Sequence, residues 1–334
     1  MRRVRWAAIA IAACGGPGVH HLSDAGGDAA RDSATHDAIS TNPAPGIYVA
    51  SANNAVTVFA LDASGDVAPT RAIAGSATQL SLPIDVAVDA TGDLYVANRT
   101  GSAVTVYAPD ATGDVAPVRT LTGSGMSSPQ GLTIAADGEL FATTCPSCGE
   151  SAGGTTGVFH FAAGATTSDR ALVDPVNLTV PGSIASDPAG DLVVGNAFGG
   201  SVATYPATAT GSAAATRAFT PAGDNIQSIG VGSAMIAVTT PGAGVALYAL
   251  DATGSDAPAA TLATGSAFAL QYPGGVFVDR AVSPELVYVV DFEGNAVYVL
   301  TTTGSEPDLS IASVRTITGS NTTLASPLQI VVVD

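Results

Sequence analysis

Two stretches of this chain carry nearly the same text. One is Phe59-Ala-Leu-Asp-Ala-Ser-Gly-Asp-Val-Ala-Pro-Thr-Arg-Ala-Ile-Ala-Gly-Ser76; the other is Tyr107-Ala-Pro-Asp-Ala-Thr-Gly-Asp-Val-Ala-Pro-Val-Arg-Thr-Leu-Thr-Gly-Ser124. They stand 48 residues apart. Their landmark, an aromatic residue six positions ahead of a glycine, recurs at Phe59/Gly65, Tyr107/Gly113, Tyr205/Gly211, Tyr248/Gly254 and Tyr298/Gly304. The step from Gly113 to Gly211 is 98 residues, or two periods, and a degraded copy falls between them at Phe161 and Gly164. The unit therefore occurs six times from Gly46 onward. A period of this length carrying strand-like text marks a solenoid or a propeller.

Residues 83–122 show what one unit builds. Val86-Ala-Val88 is a short apolar run, and Asp89-Ala-Thr-Gly92 is a turn with glycine where a left-handed backbone is favoured. Leu94-Tyr-Val-Ala97 and Ala103-Val-Thr-Val-Tyr107 are strands of β-branched and aromatic residues. Asp110-Ala-Thr-Gly113 is a second turn and Val118-Arg-Thr-Leu121 a fourth strand. Four antiparallel strands without helical periodicity describe a propeller blade, so the fold class is all-β. The two ends complement each other. The first copy starts at Gly46-Ile-Tyr-Val-Ala50, the equivalent of Asp93-Leu-Tyr-Val-Ala97, and so lacks its innermost strand. The chain closes on Pro327-Leu-Gln-Ile-Val-Val-Val-Asp334, the equivalent of Pro83-Ile-Asp-Val-Ala-Val88, with no blade after it. A C-terminal strand that fills the first blade closes the ring and removes its free edges.

The text Pro83-Ile-Asp-Val-Ala-Val-Asp89-Ala-Thr-Gly92-Asp-Leu-Tyr-Val-Ala-Asn98 resembles the NHL-repeat family, as do Pro273-Gly-Gly-Val-Phe-Val-Asp279 and Val287-Tyr-Val-Val-Asp291. The resemblance covers residues 46–334 and implies a six-bladed β-propeller. It implies no single function, because the family spans protein-binding modules, a few lyases and many bacterial proteins without an assigned role.

Ahead of the repeats, Arg2, Arg3 and Arg5 precede the short apolar run from Trp6 to Ala13, which is too short to span a bilayer. The run ends in Ile11-Ala-Ala-Cys14, which resembles the bacterial lipobox, in which the cysteine is acylated. The expected organisation is a lipoprotein signal over 1–14, an acidic tether over 15–45 and the propeller over 46–334. The tether is small, polar and acidic, and it offers no apolar face to offset its ordering entropy. The protein is thus expected in the bacterial cell envelope, periplasmic or at the cell surface, and joined to the membrane only by its lipid. The chain has no lysine, and beyond the signal eight arginines face 28 acidic residues, a formal charge of about −20. Such a surface opposes nucleic acid and anionic bilayers.

Five of those arginines, Arg71, Arg119, Arg170, Arg217 and Arg315, share one repeat position on the fourth strand. They read either as a ring of cationic sites or as charges that discourage edge-to-edge pairing. The nearby acids Asp66, Asp114 and Asp169 are their expected partners. Cys145-Pro-Ser-Cys148 lies in an insertion of the third copy. A zinc site needs two further ligands and a redox dithiol needs a helix N-terminus, so an extracytoplasmic disulfide is the simplest reading.

The channel mouth is the candidate ligand site. Asp85, Gly131, Ser183, Gln227, Gly275 and Gln329 lead into the inner strands, while Asn98, Thr144, Asn196, Thr240 and Asp291 follow the second strands on the same face. Gluconolactonase-type propellers hold a divalent metal at such a mouth, and that likeness singles out Asp85, Asn98, Asn196 and Asp291. Asp85 and Asp291 would face each other across the channel and hold Ca²⁺ weakly. The alternative for all of these residues is strand and turn capping. His160 is the one histidine of the repeats, since His20, His21 and His36 lie in the tether, so no Ser-His-Asp set can be assembled. The expectation is a monomeric, non-catalytic binding or scaffold module without a cofactor, taking a protein or glycan at the mouth. The alternative is a metal-dependent lactonase-type hydrolase or lyase.

Overall fold

β-Branched and aromatic residues in strands of three to nine, cut by glycine-bearing turns, leave no long helix among the described residues. The computed structural model describes residues 44–148, 153–197, 199–223, 225–263, 270–303 and 310–334. Cys14, the signal and nearly all of the tether lie outside them.

The strands form six four-stranded antiparallel sheets. Blade 1 holds β1 (Gly46–Ser51), β2 (Ala55–Phe59) and β3 (Arg71–Ala74). Blade 2 is β4 (Pro83–Val88), β5 (Leu94–Asn98), β6 (Ala103–Tyr107) and β7 (Arg119–Leu121). Blade 3 is β8 (Pro129–Ile134), β9 (Leu140–Thr144), β10 (Gly157–Phe161) and β11 (Arg170–Leu172). Blade 4 is β12 (Pro181–Ser186), β13 (Leu192–Asn196), β14 (Val202–Tyr205) and β15 (Arg217–Phe219). Blade 5 is β16 (Ser228–Val231), β17 (Met235–Thr240), β18 (Gly244–Ala249) and β19 (Ala260–Leu262). Blade 6 is β20 (Pro273–Asp279), β21 (Leu286–Asp291), β22 (Ala296–Thr303) and β23 (Ser310–Thr318). The last strand, β24 (Pro327–Val333), pairs antiparallel with β1 and supplies the inner strand of blade 1. The ring is closed as the complementary ends predict.

Apolar side chains pack between blades, in six clusters that each join two neighbours. Tyr48, Val56, Val58 and Ile73 of blade 1, for example, meet Val86, Leu94, Val96 and Tyr107 of blade 2. The turn that follows each third strand adds a clasp to this packing. Gly113 of blade 2 donates its N–H to Ala72 O and accepts from Ala74 N on the outer strand of blade 1, at 2.7 and 3.1 Å. Gly65, Gly211 and Gly254 make the same bridge to the preceding blade, and Thr167 takes the place of glycine in blade 3. The aspartate that follows completes the clasp: Asp114 accepts from Ala77 N at 2.6 Å, and Asp66 from Asn321 N at 2.7 Å. The sixth copy's Gly304 lies outside the described residues.

Candidate functional site: the channel and its two mouths

Five of the six inner strands begin with proline, which suits a first strand position because no ladder N–H is lost there. Just inside this start the register slips, between Pro83 and Asp85, Pro129 and Leu132, Pro181 and Ser183, and Pro273 and Val276. A slip of this kind leaves inner-strand N–H groups without ladder partners, and side chains must take them up. Asp85 does so for Leu132 N and Val86 N, both at 2.7 Å, so its carboxylate links blades 2 and 3. Thr143 accepts from Gly131 N at 2.7 Å, and Gln329 accepts from Ile330 N at 3.1 Å. Gln329 also reaches across to blade 5, where its Nε2 donates to Ser228 Oγ at 2.9 Å. Ser228, which pairs with Thr239 as Asp85 pairs with Ala97, occupies the ring level expected of Gln227. Gln227 stands one step nearer the proline end.

Gly131 and Gly275 complete this waist. A Cβ on either would overlap the backbone of the next inner strand, at Ser183 and Gln329 respectively. The waist separates two cavities that share only Gln329 among their walls. The larger, about 510 Å³, occupies the end of the channel where the inner strands finish and is lined by Asp85, Asp279, Arg280 and Asp334 among apolar strand residues. Burial pushes the Asp85 carboxyl up to about 8, against the two backbone hydrogen bonds that favour its ionised form. Asp279 is also raised, by burial first and by the charges of Asp334 and Glu285. The smaller cavity, about 280 Å³, opens on the insertion-bearing face. Its walls include Arg99, Gln130, Asn225, Gln227, Tyr272 and Phe292, and Cys148 reaches it from the insertion.

The structure does not bring the four sequence candidates to one point. Asp85 lines the larger cavity, whereas Asn98, Asn196 and Asp291 line neither. These three end the second strands of their blades and hold the loops that enter the inner strands. Asn98 accepts from Ser81 N at 2.8 Å and Asn196 from Val180 N at 3.3 Å. Asp291 accepts from Gln271 N, Tyr272 N and Gly294 N. Among the described residues no group of three or more His, Cys, Asp and Glu is placed to hold a metal. With the oxygens of Asn98, Asn196 and Asp291 committed to backbone N–H groups, this set does not fit a divalent ion, and no chemistry is derived through one.

The five repeat arginines bind protein groups, but not the acids expected. Arg71 donates to Tyr48 Oη at 2.8 Å and to Pro109 O, and Arg315 donates to Leu61 O and Ala63 O of the next blade. Arg119 pairs with Asp93 at 2.9 Å. Arg170 donates to Ala207 O at 3.1 Å, and Arg217 lies 3.8 Å from Asp187. Asp66 and Asp114 serve the clasps instead, and Asp169 meets His160 Nδ1 at 2.5 Å. His160 is buried on β10, with Glu139 Oε2 3.0 Å from its Nε2 but no hydrogen bond to it, and it lines neither cavity. Cys145 and Cys148 are bonded to each other, with Cα atoms 5.3 Å apart.

Arg99, Gln130, Asn225, Tyr272 and Phe292 line the smaller cavity without having been singled out in the sequence, and of these Arg99 stands out. Its signal was available: among the arginines of the repeats, only Arg99 and Arg280 leave the shared fourth-strand position. Each lines one of the two cavities.

No protein-family model and no curated protein matches the sequence. Solved structures are similar in fold. A functionally unknown protein from Desulfotomaculum acetoxidans is 14% identical over 84% of this chain and 83% of its own, with a TM-score of 0.54. A protein of unknown function from Bacteroides caccae is 10% identical, covering 86% of this chain and 98% of its own, with a TM-score of 0.56. A "putative 6-phosphogluconolactonase" from Bacteroides uniformis is 13% identical, covering 85% and 83%, also at 0.56. At such identities the likeness shows the propeller fold alone.

Proposed function

We propose that this protein is an NHL-type propeller, lipid-anchored through Cys14 on the extracytoplasmic side of a bacterial membrane, that works as a non-catalytic binding module at the insertion-bearing mouth. The observation that carries this reading is a contrast in how polar side chains are used. Around the mouth, Asn98, Asn196 and Asp291 are spent on loops, while the cavity itself keeps a guanidinium, amides and two aromatic rings facing its space. A small cavity with a few convergent polar groups and aromatic walls is the usual form of a ligand site. The test is thermal stabilisation of the purified protein by a panel of glycans and peptides, repeated with Tyr272→Ala. Ligands that stabilise the wild type and not the variant support the reading. A panel in which every stabilising ligand acts equally on both overturns it. Fractionation with membranes, lost in Cys14→Ser, tests the anchor.

One observation favours the lactonase-type alternative. Asp85 is a buried carboxyl with a raised pKa in the wall of a cavity, the setting in which general acids and bases are found. Both of its oxygens, however, already accept backbone N–H groups. Lactone hydrolysis that disappears in Asp85→Asn would put the enzyme in place of the binding module.

A further inference from the structure

We propose that the mouth cavity recognises a uronic acid residue of an acidic glycan, with Arg99 receiving the carboxylate and Tyr272 and Phe292 forming the wall against the sugar ring. The proposal rests on the binding reading above and names the ligand class of that same mouth.

Arg99 is the starting point. The five repeat arginines all find carbonyl, hydroxyl or carboxylate partners. The Arg99 side chain has none among the described residues, yet it is only partly exposed. Burial lowers its pKa from the ordinary arginine value, and no acidic side chain counters that shift. A guanidinium still keeps its charge and offers five N–H donors in a planar fork, the geometry that grips a carboxylate with two parallel bonds. In a domain so rich in acid, a half-buried cation without a protein partner at the edge of a cavity is a receptor for an anion from outside.

The remaining groups narrow the anion. Asn225 Oδ1 is buried in the same region and accepts no hydrogen bond. A buried acceptor is satisfied by a donor, which a bare carboxylate or a phosphate dianion cannot supply and a hydroxyl can. Gln227 presents an amide whose side chain makes no hydrogen bond among the described residues, and this amide both donates and accepts. Tyr272 and Phe292 stand at 5.8 Å between ring centroids and 57° to each other, two apolar surfaces against which a ring can lie. An acid, several hydroxyls and a ring with an apolar face together describe a uronate. The cavity, at about 280 Å³ and shut below by the Gln329–Ser228 bond, has room for one such ring and not for a length of chain. The rest of the glycan would extend outward past Cys148.

The test uses the full-length protein and four probes: a disaccharide ending in glucuronic acid, the methyl ester of that acid, the neutral glucose-ended disaccharide, and an acidic tripeptide. Binding is read by titration calorimetry in the wild type, Arg99→Gln, Tyr272→Ala and the control Arg217→Gln, each first shown to keep its melting temperature. The acid is expected to bind. The ester and neutral probes should bind at least about tenfold more weakly, the worth of one charged hydrogen-bonded pair. Arg99→Gln should erase that preference, Tyr272→Ala should weaken all three sugars, and Arg217→Gln should change nothing. Equal binding of acid and neutral sugar, or of the peptide in place of the acid, overturns the uronate assignment and leaves the mouth a binding site. Silence towards all four probes also overturns it. Acid binding that survives both mouth variants overturns the binding reading itself.

Discussion

Gly75 shows how much of this fold rests on single residues. Its φ of 128° with ψ of 173° is a backbone region that only glycine enters readily, and a Cβ there would overlap the Asp114 carboxyl that clasps the neighbouring blade. Gly113 has φ 74° but open space around it. Gly75→Ala should therefore cost about 2 kcal/mol or more and Gly113→Ala about 1 kcal/mol, as read from urea denaturation. Asp85 carries a second prediction. With its pKa raised by burial to about 8, the folded state keeps a proton that the unfolded chain releases near pH 4. Between those values the folded state binds more protons, so stability is highest on the acid side, falls as pH rises through this window and levels off above pH 8. The fall should be on the order of a few kcal/mol, with Asp279 adding in the same direction. Asp85→Asn should flatten the slope of melting temperature between pH 5 and 8; an unchanged slope refutes the assignment. These residues also mark where reading the sequence stopped short. Asn98, Asn196 and Asp291 were visible as polar residues at strand ends. Which way their amides and carboxylates turn depends on loop N–H groups whose positions no sequence pattern shows. Arg99 was legible as an exception to the repeat, but its lack of a partner was not.

The strands were the most legible elements, because six copies of one pattern reinforce each other. The fourth strands are shorter than their apolar text suggests, as in Arg119–Leu121, because the turn ahead of them is drawn back onto the preceding blade. That backward reach is the physical meaning of the Asp-x-x-Gly-Asp text at residues 62–66 and 110–114, and seeing it requires knowing which blades are neighbours; the same text at residues 89–93 and 187–191 only turns the chain within its own blade. The sixth blade departs in the other direction, with β22 and β23 of eight and nine residues. The insertion of the third blade reaches the smaller cavity at Cys148. Cys145 is buried and Cys148 lines the cavity. Thiol labelling of the purified protein without reductant should modify neither Cys145 nor Cys148. Changing both to serine should cost about 2 kcal/mol on the chain-entropy estimate for so short a loop, and should leave the propeller intact by circular dichroism.

At the scale of the whole ring, stability is shared among interfaces of one kind, each made of an apolar cluster between two blades. Blade 1 differs in that its inner strand comes from the far end of the chain. Deleting residues 327–334 should expose the β1 edge and the side chains of Ile47 and Val49, and the protein should aggregate on size-exclusion chromatography. A monomer of unchanged melting temperature would show that β24 is dispensable. The same seam has another consequence. Gly46 pairs with Val333, so the propeller's chain goes once around and returns to Gly46 with a gap that no covalent bond spans. The position of that gap is a matter of genetic order and not of architecture. A circular permutant with residue 334 joined to residue 46 by a short linker, and opened at the exposed Val176 between blades 3 and 4, should close into the same ring. Its β1–β24 pair would then be an ordinary hairpin, and the weakest seam would move to the opposite side of the channel.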